Sequence, residues 1–291
     1  MEINKSVNQK ILAFGEALSR DDSRGVNGPL FVGVDLGTAY IVTAVVDVAG
    51  IPVAGVLTRS RSSVRDGLVL DYMGALSILK AQVQKLRERG LTIDKAAAAY
   101  PPGTMGRNAK VFGNVLQSAG LEVAMLTDEP TAASKVLQLQ NGAVVDIGGG
   151  TTGISVLCDG QVVYTADEPT GGTHIDLVLA GHFKIADHEA EKIKRDPTRQ
   201  GEIFPLIRPV FQKMATIVAR HLKDHPVKTI YLVGGTSGFP GTEDVMADEI
   251  GLPVIKPEAP LLVTPLGIAL SCREILCPEP QSSDEAVKIA I

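Results

Sequence analysis

The 291-residue sequence predicts an α/β fold made of two similar halves. The first observation behind this is a short motif that occurs twice. Asp35-Leu36-Gly37-Thr38 follows the apolar run Leu30-Phe31-Val32-Gly33-Val34 and leads into Ile41-Val42-Thr43-Ala44-Val45-Val46. Asp146-Ile147-Gly148-Gly149-Gly150-Thr151 follows Ala143-Val144-Val145 and leads into Ile154-Ser155-Val156-Leu157. The second observation is that both motifs join strand to strand, and the third is that strand and helix patterns alternate after each of them. Two Asp-led, glycine-rich turns in equivalent places point to two halves closing on one polyphosphate. Glycine lets the backbone approach closely and aim successive N–H groups at phosphate oxygens. The aspartates can hold a hydrated divalent cation, which takes oxygen ligands and keeps several waters.

Other phosphate-binding folds are excluded by local pattern. Gly148 to Gly153 fit the G-x-G-x-x-G string, but the dinucleotide fingerprint requires a helix straight after the glycines. Here Asp159-Gly160 turns one strand back into Gln161-Val162-Val163-Tyr164, which is a hairpin. No G-x-x-x-x-G-K-[ST] string occurs. Apolar residues make up 45% of the chain, enough for one large core or two moderate ones. A net charge of −5 with sparse aromatics and no Trp argues against nucleic acid as a partner. Cys158, Cys272 and Cys277 form no C-x-x-C pair, which suits reduced thiols in a cytoplasm. No run of about 18 apolar residues is present, so no transmembrane segment is expected.

Taken in order, Ile3, Val7, Ile11, Phe14 and Leu18 recur at helical spacing, so residues 1–27 read as an amphipathic extension. That helix docks either on the body of the protein or on a partner surface. Leu30 to Thr58 read as a strand meander, and 59–66 as a basic, polar surface loop. Met73 to Gly90 carry a helix, Ala96 to Tyr100 a strand stopped by Pro101-Pro102, and Asn108 to Ala119 an amphipathic helix closed by Gly120. A strand at Glu122 to Leu126 precedes Asp128-Glu129-Pro130, with a helix expected from Thr131. In the second half a hairpin spans Val144 to Ala166, and Gly171 to Asp176 open a helix. Charged helical pieces follow over 183–195, then a long helix from about Pro205 to Leu222. A strand at Thr229 to Val233 runs into the glycine-rich stretch Gly234 to Gly241. One more short strand lies near Val254, and Pro265-Leu266-Gly267-Ile268-Ala269 open a last helix.

Five of these motifs in fixed order resemble the actin/Hsp70/sugar-kinase ATPase superfamily. Asp35 to Thr38 resemble its first phosphate loop, Asp128 to Ala133 its first connecting helix, and Asp146 to Thr152 its second phosphate loop. Val233 to Gly241 resemble its adenosine loop and Pro265 to Ala269 its second connecting helix. The resemblance covers residues 30–277. Gly171-Gly172-Thr173-His174-Ile175-Asp176 is similar to a Gly-Gly loop of Hsp70 and MreB, and Glu191-Lys192-Ile193-Lys194-Arg195 to the Hsp70 helix that frames ribose and adenine.

The resemblance implies two ribonuclease-H-like domains around a cleft that takes ATP or ADP with Mg²⁺. Domain I would span 28–140 with the first phosphate loop and a reduced inserted lobe. Domain II would span 141–264 with the second phosphate and adenosine loops, followed by a returning helix over 265–277 and a tail over 278–291. Asp35 and Asp146 would hold the metal through water, and Glu129 would polarise the attacking water. Gly37, Thr38, Gly148, Gly149, Gly150, Thr151 and Thr152 would bind phosphates, with Gly171 and Gly172 alongside. Glu191, Lys194 and Arg195 would frame the ribose and base, which Gly234, Gly235, Thr236 and Gly238 would flank.

Within the superfamily, the compact length, Val64-Arg65-Asp66-Gly67 and the run Asp146 to Gly153 resemble the chaperonin-like family of ethanolamine-utilization operons. This implies a cytoplasmic, Hsp70-like switch that assists ethanolamine-pathway enzymes or microcompartment components. The alternative is an MreB-like filament-forming ATPase, and self-association stays open. A small-molecule kinase is disfavoured, because the segment between Thr58 and Asp71 leaves little substrate pocket. A complete Hsp70 is not expected, because only 278–291 follow the last helix.

Two departures from Hsp70 bear on turnover. Gly153 stands where Hsp70 carries a second acid, and no lysine lies between Asp35 and Asp71 to match its catalytic lysine. Arg59, Arg61 or Arg65 could supply a cation instead. Phosphoryl transfer depends on placed cations and an oriented nucleophile, so slow or no hydrolysis is expected.

Overall fold

The computed structural model describes residues 3–21, 25–26, 28–60, 64–65, 68–69, 71–104 and 107–278. Arg61, the side chain of Arg65, residues Asp66 and Gly67, and 279–291 of the tail lie outside the described residues.

Two five-stranded mixed sheets share one topology. In the first, β1 (Phe31–Leu36) pairs antiparallel with β2 (Tyr40–Val46), and β2 with β3 (Pro52–Arg59). On its other side β1 pairs parallel with β6 (Lys95–Tyr100), which pairs parallel with β7 (Glu122–Asp128). A two-stranded ribbon, β4 (Val64–Arg65) and β5 (Leu68–Val69), follows β3. The second sheet repeats the order with β8 (Gly142–Ile147) at its centre. β9 (Thr152–Cys158) and β10 (Gln161–Glu168) pair antiparallel on one side, β11 (Ile230–Val233) and β12 (Val254–Ile255) parallel on the other. The two Asp-led motifs therefore close equivalent hairpins, β1–β2 and β8–β9.

Helices cover both sheets and fill the space between them. On the outer face of the first sheet lie α2 (Tyr72–Glu88) and α3 (Arg107–Ser118), which bury Leu79, Leu86, Phe112 and Leu116 against it. The second sheet is covered by α5 (Gly172–Phe183), α6 (Asp187–Arg195), α7 (Gln200–Leu222) and α8 (Thr242–Ile250). Between the sheets, α4 (Glu129–Leu137) crosses α9 (Val263–Leu276). A Cβ at Gly267 would overlap the Ala132 carbonyl, and one at Gly33 would overlap the backbone of Ala269. Glycine at these positions lets two helices and a strand meet backbone to backbone.

Helix α1 (Lys5–Leu18) settles the choice left open for the amphipathic extension. Val7, Ile11, Phe14 and Ala17 are buried in the central core, and Phe14 lies over Gly55 of β3. Three helix starts differ from expectation by two residues or more, α9 beginning at Val263 rather than Pro265. α4 begins at Glu129 rather than Thr131, because the Asp128 side chain accepts from the Thr131 N–H at 2.9 Å and Pro130 is harmless in a first turn. α7 begins at Gln200 and carries Pro205 and Pro209 inside it. Its face Ile203, Ile207, Phe211, Met214, Val218 is buried, and that packing outweighs the hydrogen bonds the prolines remove. No described helix is long and apolar enough to cross a membrane.

Candidate functional site: a carboxylate-lined cleft between the sheets

The equivalent ends of β1 and β8 face one cavity of about 340 Å³. Asp35 reaches it from β1, Asp146 from β8 and Glu129 from the first turn of α4. Each comes from a different element, yet the fold brings all three carboxylates together with no cation between them among the described residues. Burial, then the charge of Asp146, pushes Asp35 up to about 7. Burial pushes Asp146 up to about 6, against the hydrogen bond from Thr264 that favours its anion. Glu129 is held well above the ordinary carboxylate range by burial, then by the charges of Asp35, Asp146, Asp167 and Asp128. Acids arranged this way repel one another unless positive charge enters.

The turns around the cavity are locked by backbone contacts. The Gly148 carbonyl accepts from the Thr236 hydroxyl at 2.7 Å and from the Gly172 N–H at 3.0 Å. The Gly149 carbonyl accepts from the Thr173 N–H and hydroxyl, both at 2.8 Å. A Cβ at Gly171 would lie 2.8 Å from both of those carbonyls, and one at Gly172 would lie 2.6 Å from the Thr236 hydroxyl. These glycines therefore buttress the 148–151 turn from behind rather than facing the cavity.

The remaining residues singled out from sequence divide plainly. Gly37, Thr38, Gly148, Gly149, Gly150 and Thr151 line the cavity, as do Gly234, Gly235, Thr236 and Gly238. Thr152 does not: it is fully buried and its hydroxyl donates to the Thr170 carbonyl at 2.8 Å. From α6, Glu191, Lys194 and Arg195 line the wall. Lys194 is already engaged, with its ammonium 2.7 and 2.8 Å from the Asp176 carboxylate oxygens and 3.0 Å from the Gly172 carbonyl. Arg195 lies 5.2 Å over the Tyr40 ring, and Glu191 takes an ion pair from Arg59.

Known proteins resemble this chain in sequence and fold. The family model described as Type IV pilus assembly protein PilM matches residues 117–260. The ethanolamine utilization protein EutJ of Escherichia coli (strain K12) is 46% identical over 248 residues, covering 84% of this chain and 87% of that protein. The chain belongs to the EutJ family.

The crystal structure of EutJ from Carboxydothermus hydrogenoformans matches with a TM-score of 0.85 at 48% identity, over 91% of this chain and 98% of that one. MreB 5 of Spiroplasma citri bound to AMPPNP matches with a TM-score of 0.70 at 17% identity, over 86% and 98% of the two chains. The EutJ-family chain thus has the two-domain actin/Hsp70-like ATPase fold.

Both departures from Hsp70 take physical form in this EutJ-family chain. A Cβ at Gly153 would already press on Pro102 and Pro130 at 3.2 Å, so a carboxylate there would need both prolines to give way. Of the three arginines, Arg59 is the one whose side chain is described, and it is spent on Glu191. Tyr40, Gln200, Phe239, Leu261 and Thr264 also line the cavity and were not singled out from sequence. Tyr40 and Thr264 flank recognised motifs, but neither residue type at its spacing carries a signal of its own.

Proposed function

We propose that this EutJ-family chain binds adenine nucleotide with Mg²⁺ between its two sheets and acts as an Hsp70-like switch assisting enzymes of ethanolamine breakdown. It would do so at a bacterial microcompartment, with slow or no hydrolysis. The observation that carries the reading is the convergence of Asp35, Glu129 and Asp146 beside two glycine turns in one cavity. The MreB 5 structure of the same fold holds AMPPNP, and the curated relatives are named for ethanolamine utilization.

The residues present suit that ligand. Their donors are carboxylate and hydroxyl oxygens, which are hard ligands suited to Mg²⁺. Among the described residues no three His, Cys, Asp or Glu side chains form a metal cage, so Asp35 and Asp146 would hold the ion through water and share it with phosphate oxygens. The bound nucleotide would supply the γ-phosphoryl group and its leaving group. Asp35 and Asp146 place negative charge where the metal is needed. Glu129 faces both, so neutralising that pair brings Glu129 back toward the anion that orients or deprotonates water. Tyr40 of β2 and Arg195 of α6 close the wall from opposite halves. With Arg59 paired to Glu191 and Lys194 to Asp176, neither of these two cations is spare for the transition state, which supports slow turnover.

Thermal melting with Mg-ATP, Mg-ADP and each component alone tests the reading. A ligand at about 100 times its Kd adds roughly 2.7 kcal/mol to the native state, so the midpoint should rise with Mg-nucleotide. An unmoved midpoint together with no heat in calorimetry at millimolar ligand would overturn it. Pull-downs of ethanolamine-pathway enzymes that differ between ATP and ADP test the switch, and ATP-dependent sedimentation of the chain alone would favour a filament instead.

A further inference from the structure

Asp35 and Asp146 occupy equivalent places in the two hairpins, but they are held differently. The Thr264 hydroxyl donates to Asp146 Oδ2 at 2.6 Å, and the two residues are only 3% and 7% exposed. On the other side, a Cβ at Gly234 would overlap Asp146 Oδ1, so that oxygen lies against bare backbone. Among the described residues no side-chain hydrogen bond of this kind reaches Asp35. The Asp146 carboxylate is thus clasped on both edges, with its rotation set by one hydroxyl.

That hydroxyl belongs to a helix seated on the opposite half. Thr264 stands in the first turn of α9, whose later residues meet β1 at Gly33 and α4 at Ala132. The same α4 carries Glu129 at its start. One side-chain bond therefore links an acid of the second sheet to a helix wedged against the first.

We propose that Thr264 is a positioning residue that orients Asp146 toward the divalent cation of a bound nucleotide, so that metal-dependent affinity follows the seating of α9. This rests on the magnesium–nucleotide reading of the cleft. Valine has nearly the shape of threonine but no O–H, so it leaves Oδ2 without its donor and the carboxylate without its stop. Serine keeps the donor and loses a methyl group.

The test uses the full chain and its Thr264→Val and Thr264→Ser variants, titrated with ATP in Mg²⁺ and in EDTA, with melting recorded without ligand. The gain in ATP affinity that Mg²⁺ confers should fall about tenfold in Thr264→Val and stay within about twofold of wild type in Thr264→Ser. Affinity in EDTA should change much less than the magnesium gain does in Thr264→Val, whereas general loosening of the fold would lower both alike. A full magnesium gain in Thr264→Val, or its equal loss in Thr264→Ser, overturns the assignment. Absence of nucleotide binding in the wild type overturns the underlying functional reading instead. Should the valine variant not fold, Thr264→Ala read against Thr264→Ser gives the same comparison.

Discussion

Arg59, at the end of β3, pairs with Glu191 of α6, which joins the edge of the first sheet to a helix on the second, beside the cavity that Glu191 lines. Beside it Arg195 covers the Tyr40 ring, a second tie between the same two halves. Both contacts sit on residues of the cavity wall, Glu191, Arg195 and Tyr40.

Breaking the Arg59 pair should therefore change exchange more than stability. The two side chains are 32% and 25% exposed, so solvent screens them and Arg59→Ala should cost no more than about 1 kcal/mol. Release of a fluorescent ADP, followed by stopped flow, should speed several-fold. A large fall in melting temperature with unchanged release would mean that the pair is a structural brace.

The acid cluster makes the ligand-free chain sensitive to pH. Asp35 holds its proton in the fold to about pH 7, against an ordinary value of 3.8. Its favourable contribution is complete below pH 3.8 and disappears as pH rises through 7, because the folded state then carries a buried charge. Asp35→Asn should thus be more stable than wild type at pH 8, on the order of 2–4 kcal/mol, with the gap closing toward pH 4. Urea unfolding across that range checks it. A pH-independent gap would show that Asp35 titrates alike in the folded and unfolded chain, so that burial and Asp146 do not raise it.

Glu129→Gln should keep nucleotide affinity and lose most of whatever hydrolysis the wild type has, about 10²-fold or more if Glu129 is the base. Phosphate release at saturating Mg-ATP measures it. Equal rates in variant and wild type would remove Glu129 from the chemistry and leave it as an acid at a helix start, favoured there by the dipole.

The crossing of α4 and α9 should tolerate no side chain. Gly267→Val would drive its side chain into the Ala132 carbonyl and should cost about 3 kcal/mol or more, with nucleotide binding falling alongside. Gly181→Ala in α5 meets nothing within 4 Å and should gain about 0.5–1 kcal/mol. Chemical unfolding of both variants reads the contrast.

What the sequence by itself determined was most of the features whose cause is local, although helix α8 and the β4–β5 ribbon, whose first strand falls in the stretch read as a loop, were not foreseen. Alternating apolar runs and glycine turns specify the β1–β2 and β8–β9 hairpins, and Asp35, Glu129 and Asp146 are legible because each stands at a fixed offset from such a run. The amphipathic period of α1 was legible too, but not which surface covers it. The start of α7 was misplaced for the complementary reason: Pro205 is a strong local stop, and only the buried face packed on the second sheet overrides it. Tertiary structure alone decided the pairings between residues far apart in the chain. The Thr264–Asp146 bond spans 118 positions and the Arg59–Glu191 pair spans 132. It also turned Thr152 inward and placed Gly171 and Gly172 behind the turn. Such choices depend on how two sheets and two crossing helices close on one another, a long-range packing outcome that no periodicity in a short window encodes.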